Sequence, residues 1–138
     1  MVDQSAFKDA MSQLAAAVAI VTTGSATDPH GTTVSAFMSL SLDPPMVLVS
    51  LDKRSSLLAL LPEGASIGIN VLSTEQNLLA RRFASKGVDR FAGVEWQMAD
   101  GAPQLAGNHT WVAEKVAQRI EAGDHVLVLV DVAATDVN

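Results

Sequence analysis

The stretch HGTTVSAFMSLSLDPP, residues 30–45, is the part of the sequence that decides the fold. From Thr33 onward its residues alternate, so an extended strand would carry mostly hydroxyl groups on one face and apolar side chains on the other. Gly31 opens this strand, and Pro44 and Pro45 end it, because proline has no N–H group for the next position of the ladder. The pattern alone predicts a half-solvated antiparallel strand, and it leaves open whether the hydroxyl face meets solvent or a ligand.

Several shorter motifs follow this stretch along the chain. They are Asn70-Val71-Leu72, Gln76 with Leu79-Ala80, Phe83-Ala84, Asp89-Arg90-Phe91, GAPQLAG at residues 101–107 and Gly123-Asp124-His125. Together with a Gly-x-Thr-x-Ser-x-Phe-x-Ser-x-Ser-Leu-x-Pro-Pro pattern at residues 31–45, the series resembles the flavin reductase-like family, whose small reductases supply reduced flavin to two-component monooxygenases. The resemblance covers about residues 7–132. Each motif is unspecific alone, whereas the ordered series is specific.

Composition and charge limit the function classes. With 49% hydrophobic and 17% charged residues among 138, the chain can bury a core and has the size of one domain. Aromatic residues make up only 4%, so a core of small side chains buries less area and oligomerisation would add stability. The net charge of −6 argues against a nucleic-acid-binding protein, whose surface would be basic. The absence of cysteine excludes a disulfide framework, a thiolate metal site and a cysteine nucleophile.

Targeting signals are not visible in the sequence. Residues 1–8 lack the basic and apolar segments of a signal peptide. No run approaches the about 20 apolar residues of a membrane span. We expect a soluble, cytoplasmic protein.

The spacing of apolar residues predicts the remaining elements. In chain order these are a first helix capped by Asp3 or Ser5, with a stripe of Phe7, Ala10, Met11, Leu14 and Val18; strands at 18–23, 33–42 and 46–51; a short helix from 55 or 56 to 61; a strand at 66–72; a helix at 74–84 with Leu78, Leu79 and Phe83 inward; a short strand at 94–98; and alternating or β-branched runs at 109–120 and 125–132. This order lacks the β/α alternation of a parallel sheet and favours antiparallel strands that close into a barrel with helices outside.

The resemblance implies the same architecture: a mainly β fold with peripheral helices, in the form of a Greek-key antiparallel split β-barrel that binds FMN and usually forms a homodimer. We expect residues 1–138 to form a single domain that lacks the family's final C-terminal strand, because similar proteins generally continue through one more strand. After Gly107 the chain also departs from the family, with Asn108-His109-Thr110-Trp111 where similar proteins usually have small apolar residues.

The resemblance implies that the stretch after Gly31 contacts the flavin. Thr32, Thr33, Val34 and Ser35 are the positions expected at the flavin ring, where backbone groups and hydroxyls can bond its nitrogen and oxygen atoms, and Ser39 and Ser41 are expected toward the ribityl chain and phosphate. Asn70 would either bond the flavin or satisfy a buried strand edge, and the sequence leaves both interpretations open.

The segment Lys53-Arg54-Ser55-Ser56 lies where a buried strand is predicted to become a helix. A helix N-terminus offers free N–H groups and a partial positive charge, so this segment can hold a phosphate. An ordinary serine N-cap beside two solvated bases fits the same residues. The resemblance places the flavin phosphate here, at Lys53, Ser55 and Ser56.

A second basic segment ends the next predicted helix. Basic residues at a helix C-terminus are favourable without any ligand, which accounts for Arg82 and Lys86, and the role of Arg82 stays undecided. The resemblance implies that Phe83 and Ala84 contact the flavin ring or ribityl chain and that Arg90 lies at the phosphate.

Three histidines remain, and only one matches a motif. His125 belongs to the Gly-Asp-His motif, and the resemblance places it at the open side of the flavin, where it would orient the dihydronicotinamide; the alternative is an exposed turn residue. His30 and His109 are interpreted as turn or surface residues. The three have no ligand spacing between them, so no metal site is expected.

The implied function is that of an NAD(P)H:flavin oxidoreductase, which transfers a hydride from NADH or NADPH to FMN, or to FAD, and supplies reduced flavin to a separate monooxygenase. The nicotinamide would be held without a Rossmann unit, since no Gly-x-Gly-x-x-Gly fingerprint occurs. Two alternatives remain: an FMN-binding module without reductase turnover, and a split-barrel flavoenzyme similar to pyridoxamine-phosphate oxidase.

Overall fold

A computed structural model describes residues 1–14 and 16–138. Helix α1 (Gln4–Met11) begins where the Asp3 Oδ1 atom accepts the Ala6 N–H at 2.7 Å, as the sequence predicts, and every residue of α1 is exposed. The elements that follow are β1 (Ala19–Gly24), β2 (Pro29–Val34), β3 (Phe37–Leu42), β4 (Pro45–Asp52), a 3₁₀ helix (Ser56–Leu60), β5 (Ser66–Val71), α2 (Asn77–Arg82), β6 (Trp96–Ala99), β7 (Ala102–Leu105), β8 (Thr110–Ala122) and β9 (His125–Val137). No helix in the described part of the chain is long and apolar enough to span a membrane.

Seven of the strands form one antiparallel sheet in the order β2-β1-β5-β8-β9-β4-β3, and β6 pairs with β7 in a separate hairpin. The two edge strands of the large sheet, β2 and β3, are separated along the chain only by Ser35 and Ala36. Strands so closely linked cannot lie at the two far sides of a flat sheet, so the sheet curls until its edges meet. The Ser50 N–H of β4 donates to the Ala36 carbonyl at 2.8 Å, so the pairing of β3 with β4 extends into this link. The expected antiparallel split barrel is confirmed.

The prediction of one continuous hydroxyl-faced strand at residues 33–42 is wrong. Val34 pairs with Ala19 of β1, whereas Phe37 pairs with Val49 of β4, so the chain changes partner between them. The alternation of residue types continues across this break, but the inward-facing positions change. Val34 packs in the barrel core on β2, whereas on β3 the inward side chain is Phe37 and the apolar residues of the other face are exposed. A periodicity of two therefore cannot reveal where a strand changes neighbour.

Other boundaries differ in smaller ways. Helix α2 is shorter than the predicted 74–84, and Leu78, expected to face inward, is 80% exposed. The helix predicted to start at residue 55 or 56 is a single 3₁₀ turn, and β7 was not predicted at all. The segment of β7 is only four residues long and contains a proline, so its strand character depends on pairing with β6.

The core lies on both faces of β1. Ala19 and Val21 point into the barrel, where they pack with apolar residues of β4, β5 and β9. Ile20 points outward and packs with Phe83, which follows α2, and with Leu105 of β7. A third cluster joins Trp111 of β8 to Ala102 of β7 and to Ala113. The β6–β7 hairpin and α2 therefore cover the outer face of the barrel and are packed against it.

Candidate functional site

A cleft of about 680 Å³ opens at the edge of the barrel near the start of β2. Three segments line it: residues 29–32 of β2, the end of β4 and the 3₁₀ helix that follows it, and the loop after α2. The lining residues are Pro29, His30, Gly31, Thr32, Asp52, Arg54, Ser55, Ser56, Leu57 and residues 84–91. The cleft thus brings together residues that are far apart in the sequence.

Arg54 is held over this cleft by Asp52, two residues earlier. The Asp52 Oδ1 atom accepts the Arg54 backbone N–H at 2.8 Å and its Nε at 3.1 Å, and Oδ2 accepts Nη2 at 2.9 Å. These hydrogen bonds hold the pKa of the Asp52 carboxyl well below its usual range, and the carboxylate in turn raises the pKa of Arg54. Both groups are therefore charged at neutral pH, and the guanidinium is fixed in a forked geometry that leaves its other N–H groups for a ligand.

The two serines after Arg54 add hydroxyl donors to the same wall. The Ser55 Oγ atom accepts the Leu57 N–H at 3.3 Å, which caps the 3₁₀ helix. An accepting hydroxyl still has its own hydrogen to donate, so Ser55 can bond an anion while it caps the turn. Ser56 lines the cleft next to it.

Arg90 approaches from the opposite wall. Its Nε donates to the Ser85 carbonyl at 3.0 Å, and its Nη1 donates to the Gly31 carbonyl at 2.7 Å, so the loop after α2 is tied to β2. Guanidinium carries five N–H donors, and two are used here. Arg90 lines the same cleft as Arg54 with its remaining donors unused in the described residues, and such a set of bases and hydroxyls suits a phosphate or another anion.

Gly31 allows β2 to lie directly against the residue that supports the cleft from below. A Cβ atom at this position would stand 3.1 Å from the Phe83 ring, closer than nearly all real contacts. Phe83 is fully buried and packs edge-on against Phe91 with 4.9 Å between ring centroids. The glycine of the motif thus serves close packing at this site.

Comparison with known proteins identifies the family of the chain. The family described as "Flavin reductase like domain" matches residues 11–138. The chain belongs to this family. The resemblance inferred from the motifs is therefore confirmed.

Flavin reductase-like relatives of the chain include proteins and solved structures of known name. A Rhizobium meliloti (strain 1021) protein named "Probable flavin reductase" is 38% identical over 134 residues, which is 96% of this chain and 43% of that protein. A Rhodococcus erythropolis "NADH:FMN oxidoreductase" is 38% identical over 125 residues, or 89% of this chain and 65% of that protein. The structure of the styrene monooxygenase flavin reductase from Pseudomonas putida S12 has a TM-score of 0.87 and 30% identity, covering 95% of this chain and 87% of that one. The chain thus spans less than two thirds of the length of the first two relatives.

Five of the expected flavin residues line the cleft of this flavin reductase-like domain: Thr32, Ser55, Ser56, Ala84 and Arg90. Of the bases at the end of β4, Lys53 was expected there, yet its Nζ lies 3.8 Å from the Glu121 Oε1 atom, outside the set of described residues that line the cleft. Arg54 takes that place. Residues 53 and 54 form a turn after β4, and an aspartate that accepts the N–H group two residues later is a common start of such a turn, so Asp52 two residues before Arg54 was a usable signal.

The other expected flavin residues lie elsewhere. The Thr33 Oγ1 donates to the Ala80 carbonyl at 2.6 Å, and Val34 is buried in the barrel core. Ser35 lies in the link between the edge strands, and Ser39 and Ser41 lie on β3 beyond that link, outside the set of described residues that line the cleft. Phe83 supports the cleft from the core. The structure therefore separates the hydroxyl row that the sequence presented as one surface.

Asn70 is fully buried on the outer face of β5 and all of its side-chain groups are engaged. Its Nδ2 donates to the carbonyls of Ile20 at 3.1 Å and Pro103 at 3.4 Å. Its Oδ1 accepts the Leu105 N–H at 2.7 Å and the Asn108 Nδ2 at 3.0 Å. Of the two interpretations that the sequence left open for Asn70, these contacts fit the one in which its side chain satisfies a buried strand edge. It also gives a role to Asn108, where the chain departs from the family.

Two histidines lie at or beside the cleft. The His125 Nδ1 is 2.8 Å from the Asp124 Oδ1, and His125 pairs across the sheet with Asp52 of the cleft wall. The hydrogen bond from His125, and then its charge, lower the pKa of the Asp124 carboxyl. Asp124 thus holds one ring nitrogen, and no other residue in the described part of the chain bonds Nε2. His30, interpreted as a turn or surface residue, lines the cleft with its Nε2 3.0 Å from the Asp28 Oδ1.

Proposed function

We propose that the protein is an NAD(P)H-dependent flavin reductase that transfers a hydride from a nicotinamide to FMN. The observation that supports this most is the convergence of Arg54, Ser55, Ser56 and Arg90 on one cleft, in a chain of this family. Two carboxylates line the cleft, Asp52 and Asp89, against three bases, Arg54, Lys86 and Arg90. Asp52 is paired with Arg54 and Asp89 accepts the Phe91 N–H at 3.3 Å, so the remaining donors fit a phosphate at this end. Bound flavin supplies the acceptor for the hydride.

In this proposal the residues of the chain bind the flavin and orient it. Arg54, Arg90 and the two serines hold the phosphate, and Thr32 lies along the same wall toward the ring. Two arginines in this position favour FMN over riboflavin, because only FMN carries the phosphate dianion. NADH is proposed as the donor, in line with the printed name of the Rhodococcus relative, "NADH:FMN oxidoreductase"; FAD and NADPH remain the alternatives that the assay below compares.

A homodimer and a separate monooxygenase complete the proposal. The edge strand β3 presents Met38, Leu40 and Leu42, which are 55%, 41% and 91% exposed, and an apolar edge strand is a surface that another chain commonly covers. The name of the Pseudomonas putida structure, a styrene monooxygenase flavin reductase, supports delivery of reduced flavin to a monooxygenase.

The proposal predicts that the purified protein oxidises NADH in air only when FMN is present. Turnover is followed by NADH absorbance, with FMN, FAD and riboflavin compared and NADPH as the second donor. We expect the KM for riboflavin to exceed that for FMN at least about tenfold, because charge-assisted bonds to the phosphate are lost.

Oxidation without added flavin would mean that FMN is tightly held. FMN binding without any NADH or NADPH oxidation would contradict the reductase and favour a binding module. Oxidation of pyridoxamine phosphate would favour the third interpretation.

His125 is proposed to orient the nicotinamide through its free Nε2. Replacing His125 by asparagine is expected to raise the KM for NADH about tenfold, the effect of one lost hydrogen bond to a charged or polar partner, with the FMN dissociation constant unchanged. His109→Asn is the matched control, since in the described residues the His109 side chain bonds only the adjacent Thr110 hydroxyl, at 2.9 Å. Equal KM values for NADH in the two variants would contradict this role.

A further inference from the structure

The loop at residues 84–92 forms one wall of the cleft, yet it contains neither helix nor strand. Residues 84–89 are all exposed. Phe91 anchors the end of the loop on Phe83, whereas the exposed residues before it depend on hydrogen bonds for their shape, and such segments are otherwise among the least stable parts of a protein. Side-chain hydrogen-bond donors outside the loop are therefore needed to hold this wall of the cleft.

Arg82, the last residue of α2, supplies three of them. Its Nε donates to the Arg90 carbonyl at 2.9 Å, and its Nη2 donates to the carbonyls of Asp89 at 2.7 Å and Ala92 at 2.8 Å. All three acceptors are main-chain atoms of the loop. A planar guanidinium can reach three carbonyls at fixed angles, whereas the single ammonium of a lysine cannot reproduce this fork.

The second arginine continues the connection toward the ligand. The carbonyl of Arg90 is held by Arg82, and the side chain of Arg90 donates to the Ser85 and Gly31 carbonyls. The backbone position of Arg90 thus depends on Arg82, and its guanidinium is then aimed from that position into the cleft. Arg82 itself lies outside the set of described residues that line the cleft.

We propose that Arg82 is a positioning residue for flavin binding: by clamping the carbonyls of residues 89, 90 and 92 it holds Arg90 at the phosphate end of the cleft. The inference rests on the proposed function for the identity of the ligand. It assigns Arg82 a role beyond that of a favourable base at a helix C-terminus. Arg90 bonds a ligand only where its guanidinium is correctly placed, and a misplacement of about 1 Å in a positioned group can cost about a hundredfold in reaction rate.

The test compares Arg82→Gln with Arg81→Gln, which removes the same charge one residue earlier. Arg81 is exposed, and its side chain donates no hydrogen bond in the described ranges 1–14 and 16–138. We expect Arg82→Gln to raise the KM for FMN about tenfold, with kcat at saturating FMN and the KM for riboflavin unchanged, and Arg81→Gln to resemble the wild type. Arg82→Lys, which keeps the charge and loses the fork, should behave almost like Arg82→Gln.

Hydrogen exchange of the loop amides at residues 84–92 provides a readout independent of flavin. It should quicken in Arg82→Gln and Arg82→Lys, and not in Arg81→Gln. Wild-type KM values for FMN in Arg82→Lys would overturn the clamp in favour of charge alone, and an equal rise for FMN and riboflavin would overturn it in favour of general destabilisation. A wild-type protein that binds no flavin would overturn the proposed function, and unchanged exchange in Arg82→Gln would then overturn the clamp separately.

Discussion

Replacing Asn70 by leucine is expected to lower the free energy of unfolding by about 4 kcal/mol, or to prevent folding altogether. The leucine would leave the Leu105 N–H without its acceptor and the Asn108 amide without its partner, in a fully buried place. Each buried polar group without a partner costs about 1–3 kcal/mol. Urea unfolding followed by circular dichroism measures the loss.

The matched control is Asn77→Leu, at the exposed first position of α2, which should change the unfolding free energy by no more than about 0.5 kcal/mol. A loss below about 1 kcal/mol in Asn70→Leu would contradict the idea that this side chain joins the β6–β7 hairpin to the barrel. If the protein instead folds normally but loses FMN binding, Asn70 has the flavin role that the sequence left open.

The second large effect is expected for Gly68→Ala, at about 3 kcal/mol of destabilisation, the upper part of the usual range for overpacking. A Cβ atom on Gly68 would collide with the six-membered ring of Trp111 and stand 2.9 Å from the Thr22 Oγ1. Trp111 cannot move away easily, because it is 2% exposed and its Nε1 donates to the Asp100 Oδ2 at 2.9 Å. Thermal and denaturant unfolding report the change.

A double-mutant cycle with Trp111→Phe separates this collision from other effects. Phenylalanine lacks the outer ring atoms that the new Cβ would meet, so the double variant should lose about 1–2 kcal/mol less than the sum of the single variants. Additive losses would show that the cost at position 68 arises from the backbone and not from the indole ring.

The sequence predicted the strands and helices that are buried on one face or along their whole length. It did not predict the strand boundaries that depend on which neighbouring strand the chain pairs with. The β-branched run of β9 and the apolar run of β4 were visible because both strands are central and pack in the core. The separation of β2 from β3 was not visible, since Ser35 and Ala36 preserve the alternation while the chain changes partner. The strand β7 was missed because its pairing with β6 depends on a hairpin rather than on its own composition.

The candidate site was predicted where a residue type and its place along the chain sufficed. Ser55, Ser56 and Arg90 follow an element end and lie in the cleft. The choice between Lys53 and Arg54 depended on the direction that each side chain takes after β4. The Asp52 carboxylate fixes the direction of the Arg54 side chain through two hydrogen bonds. The clamp by Arg82 involves main-chain acceptors, which carry no signature in the amino-acid sequence.

The link of two residues between the edge strands limits how far the barrel can open. Three consecutive peptide units span at most about 11 Å, so Val34 and Phe37 can never separate further than that. Because Phe37 pairs with Val49, the same link keeps the end of β2 beside β4, the strand that leads to the other wall of the cleft. Residues 29–32 and the segment after β4 are therefore two cleft walls tethered to one another through the chain, and a ligand that enters between them can spread them only as far as this tether allows.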